Sequence, residues 1–365
     1  MADDLIYKIG ITLIPSIGSV NGKKLVSYCG GAEAVFKEKK SALLKIPGIG
    51  RSTVNNIVNQ SVLKRAEKEI AFIKKYGVKP LFYTDEQYPK RLFHCEDGPV
   101  MLYYNGNRNL NHQRVLAVVG TRRSTAYGKV QCEKILEGLK DTEVMIVSGL
   151  AYGIDSCAHK NALNHHLPTV GVMGHGLDRV YPSENRNLAA AMMENGGLLT
   201  EFMSGTNPDR ENFPKRNRIV AGMADAVLVV ESGIKGGAII TADIAFSYSR
   251  DVFALPGKVN ATYSKGCNFL IKTNRAALVE SAEDIMRIMN WETLEKKEPV
   301  QTELFVDLTE NEQKLVNILT ETGENGIDEL MAKSKIPISQ VSSILLNLEF
   351  RGVVLSLPGK RYRLR

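Results

Sequence analysis

From residue 115 onward the chain repeats one pattern: a short apolar run, a Gly or polar residue, then a stretch with helical spacing. Val115-Leu-Ala-Val-Val-Gly120 opens the series, which continues at 144–149, 168–174, 198–202, 226–231 and 251–257. Uninterrupted Val/Ile/Leu runs between helices predict parallel strands covered on both faces, because a strand with one wet face would alternate. Six such strands within roughly 140 residues predict an α/β fold with a Rossmann-like, doubly wound, mostly parallel sheet. In that architecture ligands bind at the carboxyl ends of the strands, where this sequence concentrates Gly, Ser, Thr, Arg and Glu.

The flanks follow other patterns. Residues 1–75 have helical spacing and an internal echo: Ile14-Pro-Ser-Ile-Gly18 returns as Ile46-Pro-Gly-Ile-Gly50, each followed by an apolar pair. The echo predicts a small helical domain of helix-hairpin-helix or SAM-like type, whose turn amides either meet a DNA phosphate or only shape the bundle. Residues 76–290 form the Rossmann-like domain. The polar, proline-bearing stretch 291–304 reads as a linker. Residues 305–365 predict helices near 309–320, 326–333 and 338–350 and then a hairpin, which together describe a winged helix. Such a module serves nucleic acid or protein docking, and the spacing does not choose between them.

Charge and cysteine usage narrow the class. The 365 residues carry 47 Lys and Arg against 40 Asp and Glu, a net +7 that suits an anionic partner. Cys29, Cys95, Cys132, Cys157 and Cys267 are scattered and odd in number, so neither a disulfide framework nor a thiolate metal site is expected. The six histidines show no metal-binding spacing, and no cofactor is expected. The acidic start Met1-Ala-Asp-Asp-Leu5 is unlike a signal peptide, and no apolar run is long enough to span a bilayer. A soluble, cytoplasmic protein without membrane contact is the expectation.

Chemistry is expected in the loops. The first βα turn, Gly120-Thr121-Arg122 to Gly128, keeps only the first glycine of a dinucleotide fingerprint. The second strand ends in Ser148-Gly149, not in the acid that would hold a ribose, so a dinucleotide is disfavoured. A single phosphate suits the turn better. In Asn212-Phe-Pro-Lys-Arg-Asn-Arg218, Pro214 is expected at a helix start, placing Lys215, Arg216 and Arg218 in its first turn beside Asn217. Cations there oppose the helix dipole unless an anion is bound. Phe213 is either a base-stacking platform or a hydrophobic staple. Lys235, Gly236 and Gly237 open a further helix, while Arg186 and Lys258 are possible additions to the rim. Asp155 and His159 stand at i, i+4, more consistent with a helix pair than with a proton relay. No catalytic motif appears, and catalysis is not expected.

These segments resemble the DNA-processing protein A family, also called Smf. The motifs are G-[ST]-R at Gly120–Arg122, S-G-x-A-x-G-I-D from Ser148, G-x-G-L-D…Y-P-x-x-N from Gly174, F-P-x-R-N-R-I from Phe213, and E-x₅-G-[AS]-x-x-T-A from Glu231. A-L-P-G near 254–257 and S-x-G-[CT]-N-x-L-I from Ser264 complete the set. The resemblance implies sequence-independent binding of single-stranded DNA, protection of incoming DNA and loading of the RecA recombinase in natural transformation. It also implies a homodimer formed through the Rossmann-like domain. By motif correspondence, Arg122, Lys215, Arg216 and Arg218 are the DNA contacts. The alternative is a Rossmann-like nucleotide phosphoribohydrolase using Glu231, although the glycine string of those enzymes is missing.

Overall fold

The computed structural model describes residues 2–59, 61–291, 308–357 and 361–364. The chain divides into two compact units, Met1–Leu294 and Glu295–Arg365.

The first unit is built on a nine-stranded sheet. Its strands are β1 Lys79–Phe82, β2 Met101–Gly106, β3 Val115–Val119, β4 Met145–Ser148, β5 Thr169–Val172, β6 Gly196–Thr200, β7 Ala226–Val229, β8 Asp251–Ala254 and β9 Ala277–Leu278. They lie in the order β1-β2-β6-β5-β4-β3-β7-β8-β9. The six expected strands form the parallel centre, and β1 and β2 extend it antiparallel beyond β6. Period-two side-chain alternation puts successive strand residues into two different cores. Val115, Ala117 and Val119 pack on one face with Val147 and Val227, while Leu116 and Val118 pack on the other with Ile146 and Leu228. Both faces are therefore dry, and the strands read as unbroken apolar runs.

The helices before residue 77 close on a core that continues into Phe82, Met101 and Tyr103 of the antiparallel edge. The last of them, Leu63–Tyr76, stops at Gly77, whose φ of 65° is the left-handed cap that glycine adopts without strain. Trp291, expected to begin the linker, is buried in the core beneath β8 with Ile285 and Phe253. The rest of that stretch, 292–304, lies outside the described residues.

The second unit contains helices Glu310–Thr322, Ile327–Ser334 and Ile338–Phe350 with a small sheet of β10 Glu324–Gly326, β12 Arg361–Leu364 and β11 Val354–Leu357, in that order. Leu315, Leu319, Leu330, Val341, Leu345 and Leu348 make its core. Thr309 and Glu312 form a reciprocal capping box at its first helix. Among the described residues, no helix is long and apolar enough to cross a membrane.

Candidate nucleic-acid interface

The chain builds outward from β3 through β4, β5 and β6, then returns to place β7 on the other side of β3. That reversal opens a crevice at the carboxyl ends of β3 and β7, as doubly wound sheets require. It encloses about 880 Å³, and its lining carries five cations, Arg122, Arg123, Arg210, Arg216 and Lys235, against one carboxylate, Asp155.

The first turn is held from below. A Cβ on Gly120 would overlap the Ile154 side chain, so glycine lets the β3 turn and the Ile154–Asn164 helix approach closely. The Thr121 amide donates to the Glu231 carbonyl (2.7 Å), and the Arg123 amide donates to the Thr121 hydroxyl (3.1 Å). The Thr125 amide and hydroxyl both donate to the Glu231 carboxylate (2.9 and 2.6 Å), and Thr125 caps the following helix. The turn expected to suit a single phosphate has several of its amides engaged in this way, and it offers the exposed Arg122 and Arg123 side chains instead. The Arg122 guanidinium lies 4.9 Å from the Phe213 ring centroid, covering the ring proposed to stack on a base. Glu231 is buried as a structural acceptor and does not line the crevice, which removes the carboxylate that a phosphoribohydrolase reading relied on.

Ser148 is also structural. It is fully buried and donates to the Val118 carbonyl across the sheet (2.5 Å), whereas its neighbour Gly149 reaches the crevice floor. A Cβ at Gly149 would collide with the guanidinium of Arg216. Glycine there makes room for that guanidinium, which is 5% exposed and stands 3.9 Å from Asp155. The ion pair is loose, and Arg216 Nε has no hydrogen-bond partner among the described residues. Burial raises the Asp155 pKa, opposed by Arg216, the Ala151 amide, Ser148 and Arg122. Burial likewise lowers that of Arg216, without bringing a guanidinium near neutrality.

The Asn212–Met223 helix begins two residues before Pro214, so Arg216 and Arg218 fall beyond its first turn. The macrodipole has faded there, and both cations face carboxylates, so the dipole conflict expected from the sequence does not arise for them and is left to Lys215, the fourth residue of the helix. The run of cations is also split between two sides. Phe213, Arg216 and Asn217 line the crevice. Lys215 and Arg218 line a separate groove of about 540 Å³, where Arg218 pairs with Glu201 and donates to the Asp97 carbonyl. Of the three cations expected together in one helix turn, only Arg216 faces the crevice; Lys215 and Arg218 are turned to the groove.

Lys235, Gly236 and Gly237 do reach the crevice, where the Gly237–Ser247 helix starts without a side-chain cap. Asn217 Nδ2 donates to the Gly237 carbonyl (3.4 Å), tying the middle of the Asn212–Met223 helix to the start of this one. Arg186 is exposed on another helix, and neither it nor Lys258 lines the crevice. Arg123, Arg210 and Tyr263 line it without having been singled out. Arg210 lies two residues before the basic segment, a proximity that signalled it. Tyr263 has no local signature. Among the described residues, no His, Cys, Asp or Glu cluster suits a metal ion.

Asp155 and His159 do not pair. His159 is fully buried, with Nε2 2.5 Å from the Gly149 carbonyl and Nδ1 2.7 Å from the Thr169 hydroxyl. A carbonyl only accepts, so Nε2 carries the proton. Burial pushes this imidazole down to about 4, with the Arg216 charge adding to the fall and the Gly149 bond opposing it. The folded pKa lies below the unfolded ~6.5, so the unfolded state binds the proton first. Stability is then complete above pH 6.5 and falls by about 3 kcal/mol as pH drops toward 4. Urea titrations at pH 7.5 and 4.5 check this: His159→Gln is expected to lose most of the acid sensitivity.

The sequence profile of the DNA recombination-mediator protein A family matches residues 79–290, and that of the DprA winged helix domain matches 301–360. The Smf protein of Synechocystis is 32% identical over 399 residues, covering 98% of both chains. A solved structure of DNA processing protein A from Streptococcus pneumoniae superposes with a TM-score of 0.66 at 33% identity, covering 77% of this chain and 97% of that one. DNA processing protein A from Helicobacter pylori, described for its single-stranded DNA binding mode, gives 0.54 at 29% identity, covering 59% and 96%.

Proposed function

Because the chain belongs to the DNA recombination-mediator protein A family, we propose that it holds single-stranded DNA by its phosphates in the crevice between β3 and β7. The observation that carries this reading is Arg216. A guanidinium buried beside one distant carboxylate, with Nε unpartnered, is costly unless a ligand completes its shell. A phosphate does so, drawing on the Gly236–Gly237 helix start and the exposed Arg122 and Lys235 as well. Moving Arg122 onto a phosphate would uncover the Phe213 ring for a base. The Helicobacter pylori relative, described as a single-stranded DNA binder, supports the same assignment.

On this reading the protein is a non-enzymatic mediator that protects incoming DNA and delivers it to the RecA recombinase in natural transformation, working as a homodimer through the Rossmann-like domain. The winged helix is the weaker DNA candidate. Its Ile338–Phe350 helix contains no basic residue and exposes Ile338, Leu346 and Phe350, while Arg351 and Arg361 pair with Glu312 and Glu324. A protein-docking role suits it better.

Oligothymidine binding followed against salt tests the proposal. With about four phosphates neutralised, log K falls by ~0.7 per contact per log unit of salt, roughly a 50-fold loss from 50 to 200 mM. Binding that is indifferent to salt contradicts it.

A further inference from the structure

Cys132 and Cys157 are far apart in the sequence, yet the fold brings their thiols into hydrogen-bonding contact. Cys132 is on the Ala126–Gly138 helix, which follows the Gly120–Arg122 turn, and Cys157 is on the Ile154–Asn164 helix, which carries Asp155. The two helices pack side by side over one face of the sheet. Cys157 Sγ stands 3.8 Å from the Lys129 carbonyl, one turn before Cys132. Cys132 is fully buried, whereas Cys157 is only half-buried. Neither lines the crevice, so the binding reading makes no use of them.

The two thiols are unlike. Cys132 S–H donates to the Cys157 sulfur, and Asn161 Nδ2 donates to the same sulfur from one helical turn further on (3.4 Å). With the charge of the exposed Lys129, these bonds hold the Cys157 thiol below its ordinary pKa, against burial and Glu133. The same contact, with burial, Asp155 and Glu133, holds Cys132 well above. An accessible, thiolate-prone cysteine beside a protonated, buried one is the arrangement in which an oxidised sulfur is resolved within the chain.

We propose that Cys132 and Cys157 form an oxidative modification site, closed to a disulfide by hydrogen peroxide. The Cys157 thiolate attacks one peroxide oxygen and the O–O bond breaks. Cys157 becomes a sulfenic acid, and the departing hydroxide takes up a proton as water. Loss of the Cys157 anion removes the contact that kept Cys132 protonated. Cys132 then gives up its proton and attacks the Cys157 sulfur, forming the S–S bond and expelling a second water. Two thiols lose two electrons and one peroxide gains them.

The bond would tie together two helices whose first turns frame the crevice. Thr125 is bound to Glu231 behind the Arg122 turn, and the Ile154 amide donates to the Thr121 carbonyl (3.2 Å) just ahead of Asp155. Sulfurs in contact must close to roughly 2 Å, and Ile154 packed on Gly120 leaves little slack to absorb the movement. Resting on the reading that the crevice holds a strand, oxidation should shift Asp155 against Arg216 and weaken oligothymidine binding several-fold.

The test treats the full-length protein with hydrogen peroxide, alkylates the remaining thiols and maps linked peptides by mass spectrometry, before and after dithiothreitol. A reversible Cys132–Cys157 link is expected, formed faster than Cys29 is oxidised. Cys29 is also half-buried, but burial and Glu38 push its thiol up, so it is a control within the same chain. In Cys132→Ser the Cys157 sulfenic acid should persist and be captured by dimedone, and Cys157→Ser should protect Cys132. Cys157 reacting no faster than Cys29, or passing to sulfinic acid with no link to Cys132, overturns the proposal. That wild-type map decides even if a variant does not fold. Oligothymidine affinity, lowered by peroxide and restored by dithiothreitol, reads the coupling. A disulfide that leaves the affinity unchanged overturns the coupling, whereas reduced protein that fails to bind removes the crevice reading and leaves the modification site standing.

Discussion

Arg216→Met is expected to lower folding stability by about 3–5 kcal/mol, because it leaves the Asp155 carboxylate buried and unpaired. The loss should grow with pH. Without the guanidinium, burial outweighs the Ala151 amide, Ser148 and Arg122 still further and holds the folded pKa of Asp155 above the unfolded ~3.9, so the native state binds the proton more tightly. The destabilisation is then small in acid and complete once pH exceeds the folded pKa. Adding Asp155→Asn removes the stranded charge and is expected to recover most of the stability, leaving a neutral pair of similar volume. Oligothymidine binding should not return with it, since the cation that meets the phosphate is still missing. Thermal melts at pH 5 and 8, paired with binding at neutral pH, separate the two effects. If the double variant binds as tightly as wild type, Arg216 is a structural residue alone.

The second large effect concerns the rim. Arg122 and Lys235 are both exposed on the crevice, so reversing them disturbs little packing; the Arg122–Phe213 contact contributes about 0.5–1 kcal/mol. Each charge-assisted bond to a phosphate contributes roughly 1.5–3 kcal/mol, and reversal adds repulsion. Arg122→Glu with Lys235→Glu is therefore expected to weaken oligothymidine binding more than about a hundredfold, with stability held within about 1 kcal/mol. Lys215→Glu, facing the separate groove with Arg218, should cost only a few-fold through longer-range charge.

Much of this was legible in the sequence, for identifiable reasons. The six central strands showed as unbroken apolar runs because helices cover both their faces. Strand β9 did not show because its two residues are exposed and carry no pattern. The glycines of the turns were visible, but their work was not: Gly120 admits Ile154 and Gly149 admits Arg216, contacts made by residues from other segments. The division of the basic segment follows from helix geometry. At 3.6 residues per turn, positions 213, 216, 217 and 220 share one face, and all four line the crevice. Positions 215 and 218 share another and line the groove. Reading the segment as one charged patch ignored that period. The carboxylates that pair with it, Asp155 and Glu201, come from distant turns, and helix spacing alone could not have placed them.

The central claim is that the strand is held at the switch-point crevice and not at the neighbouring groove. Side-by-side titration of Arg122→Glu/Lys235→Glu and Lys215→Glu with labelled oligothymidine tests it most directly. Loss concentrated in the crevice pair, with a shallower salt dependence in that variant, is the predicted result. A crevice pair that binds like wild type while Lys215→Glu abolishes binding would contradict it.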